Sequence, residues 1–305
     1  MLQLPRFLCM MLLLTSVLAC KDQPEIGRKF VNPRMVSAGW DNTCVIDDNG
    51  VHCWGANDYG QSNVPEGLVN PVFVETGRYN TCAIDDNGVV CWGQSDLGLN
   101  DVPNTLSHPY DVAIVSYLGV CALDDVGIHC WGNFAGSGGP LLGGQLLPDE
   151  PLIAPTEISG GDRLCALDQR HIVCSEHYIP YYDLETAILA PDNTVDPRGL
   201  SSSDGINACV IDDGELVCWG HQEYGLLQPP LRESSPLHVS LGVLRACALD
   251  SLGLYCWGLN DYGQSNAPAN TILTNPTYVD AGWRHTCAIN GDRVICWGDN
   301  SAGQL

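Results

Sequence analysis

Cationic residues are scarce in this sequence, and lysine is almost absent. Of 305 residues, 13 are Lys or Arg and 36 are Asp or Glu, which gives a formal charge of −23 at pH 7. Lysine occurs only at Lys21 and Lys29. Nucleic-acid binding requires a basic surface that displaces phosphate counterions, so the composition argues against that function. An acidic surface favours solubility, and it is also compatible with a cationic protein partner.

A long apolar run is missing too. The apolar stretch from Phe7 to Leu14 is shorter than the roughly 20 residues that a membrane-spanning helix needs. Arg6 precedes this stretch and small residues follow it, which is typical of an export signal over residues 1–19. The ending Val-Leu-Ala-Cys at 17–20 resembles the cleavage box of bacterial lipoproteins. That resemblance implies a lipid on Cys20 and a tether over residues 20–30; an ordinary signal cut elsewhere is the alternative. In such lipoproteins an Asp after the cysteine favours the inner membrane, so Lys21 implies the outer membrane or the cell surface.

Familiar catalytic signatures are also absent from the sequence. It has no G-x-S-x-G, H-E-x-x-H or Walker pattern, and its eight histidines are scattered. We therefore expect no catalytic residue, no cofactor and no metal site.

Cysteine, by contrast, is abundant and regularly placed. Fourteen of the 16 cysteines form seven pairs with a separation of nine positions, and successive pairs begin 38 to 44 residues apart. In TCAIDDNGVVCWG (81–93), a turn at Asp85–Gly88 sets Cys82 opposite Cys91, close enough for a disulfide. In an exported chain this spacing favours disulfides over buried thiols, and zinc fits poorly because no histidines are organised around the pairs. The predicted disulfides are Cys44–Cys53, Cys82–Cys91, Cys121–Cys130, Cys165–Cys174, Cys209–Cys218, Cys247–Cys256 and Cys287–Cys296.

Each repeat unit contains short segments typical of β-strands. In the second unit these are Pro71–Glu75, Thr81–Asp85 and Val89–Trp92, and no stretch after the signal has a convincing helical period. Seven units of about 40 residues predict an all-β, seven-bladed β-propeller over residues 31–305, with three to four antiparallel strands and one disulfide per blade.

The repeat also resembles a known family. Trp-Gly closes the third strand of six units, and Gly-Gln follows at Gly60, Gly263 and Gly303. These marks resemble the repeat of the regulator of chromosome condensation family, and the short period is closest to its bacterial β-lactamase-inhibitor propellers. The resemblance implies a seven-bladed propeller. It does not imply one activity, because its members include an exchange factor, a light receptor and enzyme inhibitors.

Chain direction sorts the loops into two faces. The loops before the second strands and those after Trp-Gly share one face, and the cysteine hairpins turn at the other. The hairpin turns carry many aspartates, which are good turn residues; a calcium or cationic-partner site there is the alternative. The other face has aromatic and arginine residues, which dominate binding hot spots, although these rings could instead pack on neighbouring loops. The predicted protein-binding residues are Trp40, Arg78, Tyr79, Tyr117, Tyr178, Tyr181, Tyr182, Trp283 and Arg284.

Together these features predict a lipid-anchored, exported and monomeric propeller. We expect it to bind an unidentified protein at the bacterial cell envelope without catalysis and without contacting nucleic acid. The alternatives are an inhibitor of a secreted enzyme and an enzyme acting on envelope glycans.

Overall fold

The computed structural model describes residues 27–115, 119–133, 152–169, 171–175, 190–203 and 207–305. Within these ranges the chain forms β-strands and turns but no α-helix, and no segment is a helix able to cross a membrane. The strands form seven antiparallel sheets. Each sheet is one blade, and the blades are numbered 1 to 7 in chain order. This is the predicted all-β, seven-bladed architecture.

The innermost strand of each blade comes first in the chain and faces the centre of the ring. These strands are β2 (Met35–Ala38), β5 (Phe73–Thr76), β8 (Asp111–Val115), β11 (Pro155–Ser159), β14 (Pro197–Ser202), β17 (Pro236–Gly242) and β20 (Pro276–Ala281).

The middle strand of each blade is almost wholly buried, which explains why its sequence is apolar rather than alternating. The middle strands are β3 (Asn42–Asp47), β6 (Asn80–Asp85), β9 (Gly119–Leu123), β12 (Cys165–Asp168), β15 (Ala208–Asp212), β18 (Arg245–Asp250) and β21 (His285–Asn290).

The third strand of each blade pairs with the middle strand through a tight turn. These strands are β4 (Gly50–Gly55), β7 (Gly88–Gly93), β10 (Ile128–Gly132), β13 (His171–Cys174), β16 (Glu215–Trp219), β19 (Gly253–Gly258) and β22 (Arg293–Gly298).

One further strand closes the ring at the N-terminal side. Strand β1 (Arg28–Lys29) pairs with β22, where Arg28 lies opposite Val294 and Lys29 opposite Arg293, so blade 7 has four strands. These two residues of the segment predicted as a tether therefore lie against the propeller. Residues 61–64, which follow the third strand of blade 1, form a turn and irregular backbone rather than a fourth strand.

The register within the hairpins is the one that the cysteine spacing predicts. In blade 2, Cys82 pairs with Cys91, Ala83 with Val90 and Ile84 with Val89. The other six blades pair their cysteines in the same way, and all seven predicted disulfides are formed. Each closes a short local loop, which stabilises a hairpin by roughly 2–3 kcal/mol through restriction of the unfolded chain.

The hydrophobic core is divided among the junctions between blades. The described residues form seven separate clusters of buried side chains, and each cluster combines residues from two adjacent blades. At the closing junction, Val36 and Val45 of blade 1 pack with Ile289 and Val294 of blade 7. The blades therefore depend on their neighbours for burial, as expected of a closed ring of repeats.

The Trp-Gly and Gly-Gln marks of the repeat meet at these junctions. The backbone carbonyl of Gln61 in the loop after blade 1 accepts hydrogen bonds from Trp92 Nε1 and Thr81 Oγ1 of blade 2, both at 2.9 Å. Gln304 near the C-terminus does the same for Trp54 and Thr43 of blade 1, at 2.9 and 2.8 Å. The Trp-Gly and Gly-Gln residues thus form hydrogen bonds between successive blades. The bonds to Gln304 join the end of the chain to the first blade.

Candidate functional site

The top face is the one that carries the loops between inner and middle strands together with the loops after the outer strands. Tyr59, in the loop after β4, lies with its ring centroid 4.7 Å from that of Tyr79, in the loop between β5 and β6. This contact places the two kinds of loop on one face. The bottom face carries the cysteine hairpin turns.

Five of the predicted binding residues form one continuous group on the top face. The Arg78 guanidinium lies 4.0 Å from the ring centroid of Trp40 and 4.8 Å from that of Tyr79. Trp40 contacts Trp283 across the closing junction, with ring centroids 4.4 Å apart. The Arg284 guanidinium then lies 3.5 Å from the Trp283 centroid.

Two tyrosines that the sequence prediction omitted extend this group at its ends. Tyr59 contacts Tyr79 at one end, and Tyr262 lies 4.7 Å from the Arg284 guanidinium at the other. The seven contacting side chains span blades 2, 1, 7 and 6, and we call them the aromatic–arginine ribbon. In order along the face they are Tyr59, Tyr79, Arg78, Trp40, Trp283, Arg284 and Tyr262.

The two outer tyrosines could have been found from the repeat. Both stand in the tetrapeptide Asn-Asp-Tyr-Gly that follows Trp-Gly, at residues 57–60 and 260–263. Their backbone N–H groups donate to the side chains of Gln61 and Gln264, at 3.0 and 2.8 Å. The Gly-Gln signature therefore also fixes the position of a tyrosine on the top face.

Glycine places the central ribbon residues at the junctions. A Cβ on Gly282, which precedes Trp283, would lie 2.2 Å from the carbonyl oxygen of Gly39, so only glycine allows the two loops to approach. The Trp283 N–H donates to that same carbonyl at 3.0 Å, and the Trp40 N–H donates to the Gly77 carbonyl at 3.4 Å. Backbone bonds between blades thus hold both tryptophans in place.

The electrostatic environment of the ribbon is mixed. Both arginines stack on rings, and the carboxylate of Asp41, the residue after Trp40, interacts with their positive charges. Burial raises the pKa of Asp41, although the positive charges of Arg284 and Arg78 act in the opposite direction. Most ribbon side chains are partly covered, while Tyr59 and Tyr262 are 48% and 45% exposed. The ribbon therefore offers flat aromatic and cationic surface to a partner on a protein that is otherwise strongly acidic.

The remaining predicted site residues cannot be placed. Cys20, Tyr117, Tyr178, Tyr181 and Tyr182 lie outside the described residues.

The aspartates of the bottom face have a structural role. In blade 3 the buried Asp124 carboxylate accepts hydrogen bonds from the backbone N–H groups of Ser107 and Val126, both at 2.7 Å. Burial acts to raise the pKa of Asp124, but these bonds, with those from Gly127 and the His129 charge, hold it below its usual range. Asp47, Asp85, Asp168 and Asp212 accept backbone N–H groups of the preceding loop in the same way. Each ties the incoming loop to the hairpin, as turn aspartates do.

A central channel of about 310 Å³ runs between the inner strands. Trp40, Arg78 and Trp283 stand at its top, and Phe73 and Tyr278 lie lower down. In the described part of the chain, the carboxylates that line it are those of Glu75, Asp111, Glu157 and Asp280. Burial, reinforced by the other channel carboxylates, raises the pKa of Glu75 well above its ordinary value, and burial raises the pKa of Asp111 to about 7.

The fold is a seven-bladed β-propeller, and two stretches of the chain match the repeat of a known family. The family model of the Regulator of chromosome condensation (RCC1) repeat matches residues 36–61 and 277–304, in blades 1 and 7. This match confirms the repeat type that Trp-Gly and Gly-Gln predict. No curated protein has a sequence that matches this chain.

Solved structures share the fold at low sequence identity. The CRINKLY WD40 ectodomain of the Arabidopsis thaliana receptor kinase ACR4 is 20% identical with a TM-score of 0.66, over 90% of this chain and 98% of its own. Human WBSCR16 is 16% identical with a TM-score of 0.66, over 85% and 87%. Saccharomyces cerevisiae Prp20p, described with its binding to Gsp1p and histones, is 17% identical with a TM-score of 0.60, over 87% and 82%. These likenesses concern the fold.

Proposed function

We propose that this protein is an exported, non-catalytic propeller that binds a protein partner through the aromatic–arginine ribbon. The observation that carries the proposal is the uninterrupted contact of seven aromatic and arginine side chains across four blades. Tryptophan, tyrosine and arginine are the residues that contribute most to protein–protein affinity. Propellers of this repeat type include protein-binding modules, since Prp20p is described with its binding to Gsp1p and histones.

The ribbon is also pre-organised for binding. The stacked arginines are held by rings on either side, and backbone bonds between blades fix Trp40 and Trp283. Side chains that are already ordered lose little conformational entropy when a partner binds, so more of the contact energy appears as affinity.

An exported location follows from different evidence. Seven disulfides form and persist in oxidising compartments, and one of the similar structures is a receptor ectodomain. With the lipoprotein-like ending at Cys20, we propose that the chain is lipid-anchored at a bacterial envelope, on the outer membrane or cell surface. Mass spectrometry of the mature protein tests this. A diacylglyceryl group on Cys20 supports the anchor, and an unmodified or absent Cys20 contradicts it.

Quantitative capture of partners from the envelope tests the ribbon. The test variant is Trp40→Ala/Trp283→Ala, and the matched control is Tyr224→Ala. Tyr224 occupies the same repeat position as Tyr59 but in blade 5, and it is 60% exposed. Loss of two hot-spot residues costs at least about 2 kcal/mol, so partner affinity should fall roughly 30-fold or more.

The control variant should retain wild-type affinity. Both variants should keep the seven disulfides and a cooperative unfolding transition, which shows that each is folded. Equal recovery of the partner by the tryptophan double variant and the wild type contradicts the proposed site. If the partner is a secreted enzyme, an activity assay with saturating propeller shows whether binding inhibits it.

A further inference from the structure

The inner strands contain a carboxylate that the sevenfold pattern does not explain. The inner-strand position paired with the first cysteine is serine in four blades: Ser37, Ser159, Ser201 and Ser240. In blades 2 and 7 the same position is acidic, as Glu75 and Asp280. All six of these side chains line the central channel.

At this position the side chain normally holds two blades together. Each of the four serine hydroxyls accepts a backbone N–H from the inner strand of the next blade, at 2.8 to 2.9 Å. Asp280 does the same across the closing junction, where it accepts the Ala38 N–H at 2.7 Å, and it also accepts the Ser240 hydroxyl at 2.7 Å.

The other two channel acids have junction roles as well. Asp111 accepts the Ile158 N–H at 2.9 Å, and Glu157 accepts the Leu200 N–H at 2.8 Å. Three of the four channel carboxylates are therefore explained by the architecture of the ring.

Glu75 is the exception. Among the described residues its carboxylate has no hydrogen-bond donor and no ion-pair partner. The side chain lies at the wall of the channel and is partly exposed there. The neighbouring Asp280 and Asp111 further disfavour the ionised form of Glu75, because both repel its negative charge. A carboxylate that is largely withdrawn from solvent, lies beside two other acids and has no donor of its own is costly to ionise, and a bound cation would offset that cost.

From this geometry we propose that the central channel is a binding site for an organic cation, an alkylammonium or guanidinium group that pairs with Glu75. The volume of about 310 Å³ suits a short-chain amine or a single cationic side chain. Phe73 and Tyr278 supply apolar surface for methylene groups in the layer below Glu75.

A metal ion is a poorer occupant than an organic cation. In the part of the chain that the structure describes, no three His, Cys, Asp or Glu side chains come close enough together to hold one. An ammonium group needs fewer converging oxygens, because it can share its donors among Glu75 and nearby serine hydroxyls. Arg78 at the mouth is occupied by stacking on Trp40 and Tyr79 rather than by pairing with Glu75.

The site is tested by calorimetric titration of the oxidised, full-length mature protein at low ionic strength. The probes are 1,4-diaminobutane, which represents a free amine, and N-acetyl-lysine methylamide, which represents a lysine side chain of a protein. The neutral control is 1,4-butanediol. The test variant is Glu75→Gln, and the matched control is Asp96→Asn, an exposed acid in the loop after the same blade.

We expect at least one cationic probe to bind the wild type and Asp96→Asn alike, with at least tenfold weaker binding to Glu75→Gln and no binding of the diol. Tighter binding of the diamine indicates a free ligand, and tighter binding of the blocked lysine indicates a partner's side chain. Absence of binding by both probes, or equal binding to Glu75→Gln, overturns the proposal. Because Glu75 makes no structural bond, the variant should fold, and its melting temperature verifies this. Glu75→Gln changes no residue of the aromatic–arginine ribbon. A negative result in this titration would therefore leave the proposed partner binding unaffected.

Discussion

The two aspartates of a hairpin turn should contribute very differently to stability. In blade 3, Asp124 is buried and accepts three backbone N–H groups, from Ser107, Val126 and Gly127, at 2.7 to 2.9 Å. Its neighbour Asp125 has a side chain that is 61% exposed and contacts only His108 among the described residues. The sequence places the two acids side by side, but only the Asp124 side chain ties the incoming loop to the hairpin through buried backbone hydrogen bonds, whereas Asp125 contacts His108 of that loop in an exposed ion pair.

The expected effect of Asp124→Ala follows from these bonds. A hydrogen bond to a charged group contributes about 1.5–3 kcal/mol. If water replaces one of the three hydrogen bonds, the free energy of unfolding falls by about 3 kcal/mol. In a propeller of about 275 residues this lowers the melting temperature by roughly 5 °C. Asp125→Ala is a surface change and should cost less than about 0.5 kcal/mol.

Thermal unfolding of the two oxidised variants, followed by circular dichroism, measures the difference. The pH dependence gives a second check. Because the folded pKa of Asp124 lies below its unfolded value, its stabilisation is present above the unfolded pKa of about 3.9 and is lost as pH falls below it. The gap between wild type and Asp124→Ala should therefore narrow under acid conditions. Equal melting temperatures for the two variants at neutral pH would refute the assigned role.

Three further predictions concern the disulfides, the blade junctions and the channel. Titration of the unreduced mature protein, unfolded in denaturant, should find none of the fourteen blade cysteines as free thiols, whereas fourteen thiols would contradict the assigned pairing. Trp92→Phe should lower the free energy of unfolding by about 1–2 kcal/mol in a denaturation assay, because the Gln61 carbonyl keeps only its bond from Thr81; an unchanged midpoint would contradict the junction role. The pKa of Glu75 is raised in the folded protein, so Glu75 destabilises the fold as pH rises above about 4.5. Glu75→Gln should therefore melt at a higher temperature than the wild type, by a margin that grows between pH 5 and pH 8. A margin that does not change with pH would contradict the unpaired state of Glu75 in the channel.

The fold could be predicted from the sequence because one local constraint recurs. A separation of nine between cysteines fixes the register of each hairpin, and Cys82 does pair with Cys91 through the two-residue turn at Asp86–Asn87. Hairpin register depends on neighbours in sequence, so a repeat makes it visible. The number of blades then follows from counting.

The top face could be predicted only in part. Chain direction placed Trp40, Arg78 and Trp283 on one face, but stacking between blades depends on how closely the loops approach. The Gly39 and Gly282 positions permit that approach, and their effect requires knowledge of the neighbouring blade. For this reason the continuity of the ribbon was not visible from the residues alone.

The channel was not predicted, because its lining comes from the least regular part of the repeat. The inner strands carry Ser37, Glu75 and Asp280 at equivalent positions, and no shared sequence mark identifies them. Whether such a side chain bonds the next blade is decided by the neighbouring inner strand, which is far away in the sequence. Asp280 bonds Ala38 across the closing junction, and Glu75 has no such bond.

The most direct test of the central claim, that the ribbon contacts a protein partner, is site-specific photo-crosslinking in intact cells. A photoreactive phenylalanine derivative is placed at Tyr59 in one variant and at Tyr224 in the other, two exposed positions at the same point of the repeat on opposite sides of the ring. The ribbon interface predicts a discrete protein adduct from position 59 and none from position 224. An adduct from position 224 alone would contradict it.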